Sequence, residues 1–80
     1  MEERRIHPRR RVLKSGQVLL GNNSVINCTV RDLSDHGARI ELGAPWAVPR
    51  DFILLIEGDS FKRRCHVVRG NAKYLGVAFE

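Results

Sequence analysis

Residues 24–42 read SVINCTVRDLSDHGARIEL. In the first half Ile26, Cys28 and Val30 alternate with Asn27, Thr29 and Arg31. In the second half Ala38, Ile40 and Leu42 alternate with Arg39 and Glu41. A period of two sends one set of side chains inward and the other outward, which marks a half-buried β-strand. Ser34 to Gly37 leaves length only for a tight connection between the two runs.

The same pattern extends in both directions. Upstream, a strand is expected over Lys14 to Leu20. Downstream, FILLI (52–56) is a continuous apolar run, as in a well-buried strand. In FKRRCHVV (61–68), Phe61, Cys65 and Val67 share a face that Arg63 interrupts, and Leu75, Val77 and Phe79 share a face in the last segment. GNNS (21–24), EGDS (57–60) and GNAK (70–73) supply turns, since Gly and Asn accept positive φ. GAPWAVPRD (43–51) holds two prolines and reads as a loop, with Trp46 expected to plug an end of the fold. No window carries apolar residues at helical spacing for ten residues, so no long helix is expected, including at the C-terminus. Short strands at close, regular intervals predict an all-β antiparallel barrel or sandwich, and at this length a closed barrel deals best with exposed edges.

Composition sets the limits. Eighty residues make one domain, 1–80, with an N-terminal arm over 1–11 and a barrel over 12–80. There is no apolar run long enough to span a membrane and no signal-peptide pattern, so a cytoplasmic protein is expected. Cys28 and Cys65 lie far apart and outside any CxxC, and are expected to be reduced core residues. Neither a metal nor a cofactor is expected. The formal net charge is +5, and 11 of the 14 basic residues are arginine. Arginine's planar fork suits phosphates and the O6/N7 edge of guanine, so an anionic partner is indicated.

Five of those arginines fall within RRIHPRRRV (4–12). Arg5 and Arg9 are spaced as RxxxR with Pro8 between them. Pro8 disfavours helical geometry at His7, so the segment should be an extended or looped arm, mobile until it wraps a ligand. Asp32, Ser34 and Gly37 form a second pattern, DxSxxG, at the end of one strand and the start of the next. Asp32 offers acceptors for the N1–H and amino group of a guanine, Ser34 is a small donor and acceptor, and Gly37 permits a tight turn or a close backbone approach.

RxxxR followed by DxSxxG, with the closing RRCHVVRGNAKYLGVAFE, resembles the PilZ domain family of cyclic di-GMP receptors. The resemblance runs from Arg4 to Glu80 and implies a six-stranded antiparallel barrel, matching the strand count above. It also implies that Arg5 and Arg9 grip the phosphates and guanine edges. Asp32, Ser34 and Gly37 would then form the guanine-recognition turn, with Arg4 and Arg10 adding flanking phosphate or stacking contacts. The chain departs from many members in carrying His36 where they have glycine, and in ending at the last strand with no output domain attached. Any signal would therefore pass to a separate protein partner, or the chain would itself be the whole device.

No nucleophile, acid and base occur at usable spacing, so no enzyme activity is expected. Two other readings stand beside the receptor. One is an interaction adaptor of the same fold that binds no nucleotide, a reading His36 leaves open. The other is a barrel for single-stranded nucleic acid, but with Phe52, Phe61 and Phe79 on core positions, only Trp46 and Tyr74 remain to stack bases. Nucleic acid is accordingly not an expected partner.

Overall fold

The computed structural model describes residues 10–80. Six strands follow in order: β1 (Arg10–Leu19), β2 (Val25–Leu33), β3 (Gly37–Glu41), β4 (Asp51–Ile56), β5 (Phe61–Gly70) and β6 (Tyr74–Phe79). A single 3-10 turn, Pro45–Ala47, interrupts the β3–β4 loop. The strands close into an antiparallel barrel in the order β1-β2-β3-β6-β5-β4. Among the described residues no helix is long and apolar enough to cross a membrane.

The alternation read from 24–42 holds. Cys28, Val30, Ala38, Ile40 and Leu42 are buried, joined in one core by Val18, Phe52, Leu54, Ile56, Cys65, Leu75 and Val77. Closure depends on β1, whose residues 16–19 pair with β2 on one side and β4 on the other. Gly16 sits at the pinch. A Cβ there would lie 3.1 Å from the Leu55 carbonyl and 3.2 Å from Cys28 Sγ, so a side chain at this place would press the neighbouring strands apart by a few tenths of an ångström. The turns use the expected chemistry, with positive φ at Asn23 and Gly58. In the β5–β6 connection, Asn71 Oδ1 accepts from the backbone N–H groups of Lys73 and Tyr74, an Asx turn.

Four expectations need correction. First, β1 starts at Arg10, ahead of the expected Lys14, because Arg10 and Arg11 pair with Leu33 and Asp32 across an irregularity at Val12–Leu13. Second, the FILLI strand is buried on one face only. Phe52, Leu54 and Ile56 point inward, while Ile53 and Leu55 face outward, half-buried, between Leu19 and Gln17 on β1 and Arg64 and Lys62 on β5. Third, Trp46 is 80% exposed and plugs nothing, since the 3-10 turn buries Pro45 instead. Fourth, His66, whose alternation with inward Cys65 leads one to expect an exposed side chain, is half-buried against Glu80, with Nδ1 at 3.5 Å from Oε2. The segment containing Arg4, Arg5 and Arg9, and most of the expected arm, lies outside the described residues.

Candidate ligand-binding site

The β2–β3 connection is built from the inside of its own backbone. Ser34 N–H donates to the Gly37 carbonyl at 2.9 Å. The Ser34 hydroxyl accepts from the N–H groups of His36 and Gly37, both at 3.2 Å, and donates to the Gly37 carbonyl at 3.3 Å. Ser34 thus shapes the turn. The turn is then fastened to β6, where Phe79 N–H donates to the His36 carbonyl at 2.8 Å. Gly37 is required by that fastening. A Cβ at Gly37 would collide with the Val77 carbonyl oxygen, so β3 can lie this close to β6 only with glycine here.

Asp32 reaches the outer surface through a β-bulge. The β2–β3 register shifts between Val30 and Asp32, with Arg31 as the extra residue. Arg39 and Glu41 alternate with buried Ala38 and Ile40, so they mark the outer face of β3. Arg31 pairs with Glu41 at 2.9 Å and Asp32 pairs with Arg39 at 2.6 Å, so both bulge residues face outward. A strict period of two would have sent Asp32 into the core. Bulges of this kind re-aim side chains and recur next to functional sites. The residue as a whole is only 8% exposed, so its carboxylate is held firmly against Arg39 Nε. Arg39 in turn lies over the Tyr74 ring, 4.6 Å from its centroid, and is itself held in place.

The pairing of β1 with β2 joins the two sequence patterns. Arg11 is the cross-strand neighbour of Asp32, and Arg10 of Leu33. Arg10, Ser34 and Asp35 share a hollow of about 390 Å³ at this end of the barrel with Phe61, Arg63 and Phe79. Arg63 stacks over Phe79 at 5.1 Å and donates to the Glu80 carbonyl at 3.1 Å. Of the residues expected in the site, the structure therefore brings Arg10, Asp32, Ser34 and Gly37 to one end of the barrel. Arg4, Arg5 and Arg9 lie outside the described residues, although Arg9 is bonded directly to Arg10.

A larger hollow, about 740 Å³, lies along Ser15–Gly16, Asn27–Thr29 and the end of β3. It contains none of the motif residues and presents Glu41, Glu57 and Lys73, a set with no arginine fork. Cys28 borders it, and burial raises that thiol to about 11. Burial likewise raises Cys65 to about 11, so both are protonated core residues at neutral pH. Both are free thiols. Among the described residues no group of His, Cys, Asp and Glu is arranged to hold a metal ion.

The motif search missed Arg39, Arg11 and Tyr74. Arg39 was within reach of it: a tight connection that sets Leu33 opposite Ala38 also sets Asp32 opposite Arg39. Arg11 needed the full length of β1 and its register shift, and Tyr74 needed the pairing of β3 with β6.

The described residues form a small closed antiparallel barrel, with a hydrogen-bonded β2–β3 turn and with Arg10 and Arg63 beside it at one end. The PilZ domain model matches residues 3–80, and the chain belongs to that family. The family is known for cyclic di-GMP receptors and is one of binding domains, not catalytic ones. Comparison with curated proteins found no match.

Proposed function

We propose that this domain is a cytoplasmic cyclic di-GMP receptor that reports ligand through its N-terminal segment to a separate protein. The observation that carries the reading is the β1–β2 pairing. It sets Arg10 and Arg11 beside Leu33 and Asp32, so the chain bearing Arg9, Arg5 and Arg4 starts from the edge of the DxSxxG turn. Asp32 supplies acceptors for guanine N1–H and the amino group, while the arginines supply donors for phosphates and for guanine O6 and N7. Ser34 and Gly37 hold the turn that sets the carboxylate in place. Ligand binding closes the arginine segment over this face, and the changed surface is what the partner reads.

The test is calorimetric titration of cyclic di-GMP, with cyclic di-AMP and GTP as controls and Arg9→Ala alongside. Selective binding that Arg9→Ala removes supports the receptor. Amide exchange in residues 2–11 should slow at saturating ligand, and unchanged exchange refutes the closure step.

One observation favours the adaptor reading. The Asp32 carboxylate is already engaged by Arg39 at 2.6 Å, and the Ser34 hydroxyl is consumed within its turn. A folded protein that gives no heat with any of the three nucleotides would establish that reading over the receptor.

A further inference from the structure

Asp32 is the second member of a single cross-strand row that runs over five strands: Arg11, Asp32, Arg39, Gly76, Arg69. Two further register shifts, at Val12–Leu13 on β1 and at Val68 on β5, lie next to this row. On β5 the shift leaves Val68 63% exposed and sets Arg69 opposite Gly76 on the outer face. Strands lie about 4.8 Å apart, so Arg69 stands about 14 Å from Asp32 along the row.

Glycine at the fourth place matters. A Cβ on Gly76 would lie 3.5 Å from Arg69 Cγ and 3.8 Å from its Nε, so the Arg69 side chain rests over the bare backbone of Gly76. Arg39 and Arg69 then border one hollow of about 140 Å³, walled by Tyr74 and Asn71. Arg39 is fixed there by Asp32 and by the tyrosine ring. Asp32 occupies Arg39 Nε, and the remaining donors of that fork, together with those of Arg69, suit phosphate oxygens.

We propose that this hollow is a second subsite of the same face, in which Arg39 and Arg69 hold a phosphate of the cyclic dinucleotide over Gly76. The inference rests on the receptor reading. A cyclic dinucleotide has two bases and two phosphates, and the β2–β3 turn with Asp32 addresses only one base edge. The row extends recognition along the sheet to the other half of the ligand. Arg69 is therefore a ligand-contacting residue, separate from the N-terminal arginines.

The experiment is calorimetric titration of cyclic di-GMP into the wild type, Arg69→Ala and Lys62→Ala. Lys62 is an exposed cation on the same strand, seven residues back and about 23 Å away, so it removes the same charge without touching the hollow. Neither change touches the core, and matched thermal unfolding of the three proteins checks this. The expected result is a tenfold or greater loss of affinity in Arg69→Ala and little change in Lys62→Ala. Equal binding by wild type and Arg69→Ala overturns the subsite and leaves the receptor standing. Equal losses in both variants also overturn it, since they show general charge attraction alone. Failure of the wild type to bind overturns the subsite and the receptor together.

Discussion

Gly37→Ala tests whether the glycine of DxSxxG serves the ligand or the backbone. The added methyl would strike the Val77 carbonyl oxygen, and it would also lie 3.4 Å from the Val77 carbonyl carbon and 3.5 Å from Ala78 Cα. All three atoms are backbone, so no side-chain rotation relieves the clash. β3 must move away from β6. Forced overpacking of this kind costs about 1–3 kcal/mol. The movement also stretches the 2.8 Å bond from Phe79 N–H to the His36 carbonyl, adding about 1 kcal/mol. The sum, about 2–4 kcal/mol, is a large share of the roughly 4–12 kcal/mol expected for 80 residues. In a domain of this size it lowers the melting temperature on the order of 10–30 °C. Urea denaturation, with the slope checked for constancy, measures the cost directly. Gly43→Ala is the control, because nothing lies within 4 Å of a Cβ there. A Gly37→Ala variant within about 0.5 kcal/mol of the wild type would refute the close-approach argument and return Gly37 to a ligand role.

Three further outcomes follow from burial. Leu54 is wholly buried, so Leu54→Ala should destabilise by about 2–5 kcal/mol in the same denaturation assay. Trp46→Ala should leave stability within about 0.5 kcal/mol and remove a solvent-exposed fluorophore, because the ring is 80% exposed. The thiols give a pH prediction. Cys28 and Cys65 are raised from 9.0 to about 11 by burial, so the unfolded chain releases protons that the folded chain retains. Their contribution to stability is complete below pH 9 and is lost as pH rises towards 11, by up to roughly 3 kcal/mol per thiol. Stability measured across that window should fall less steeply in Cys28→Ala than in the wild type; equal slopes would contradict the burial effect.

The barrel was legible because its signals are local. Alternation in 24–42 placed Cys28, Val30, Ile40 and Leu42 inside, and the Gly and Asn turns separated six runs of suitable length. The bulges were not legible as such, although the adjacent Arg31 and Asp32 break the alternation just where the register shifts. That shift decides whether Asp32 faces the core or the outer face of the sheet. A turn closed by the Ser34 hydroxyl was within reach, since serine at a strand end commonly closes one, although its particular donors, the N–H groups of His36 and Gly37, depend on backbone geometry. Trp46 was misplaced because a large aromatic near prolines is usually buried, whereas here the loop turns Pro45 inward. Arg69 and Gly76 meet across the local β5–β6 hairpin, but Arg39 joins them only through the pairing of β3 with β6, which no spacing in the sequence encodes.

The most direct measurement of the central claim is an amide chemical-shift map of the protein titrated with cyclic di-GMP. The account predicts shifts at Arg10, Arg11, residues 32–39 and Gly76, on the outer face beside the β2–β3 turn. It predicts little change at Ser15, Gly16, Asn27 and Thr29, which border the larger hollow. Shifts concentrated at that hollow, or none at saturating nucleotide, would contradict it.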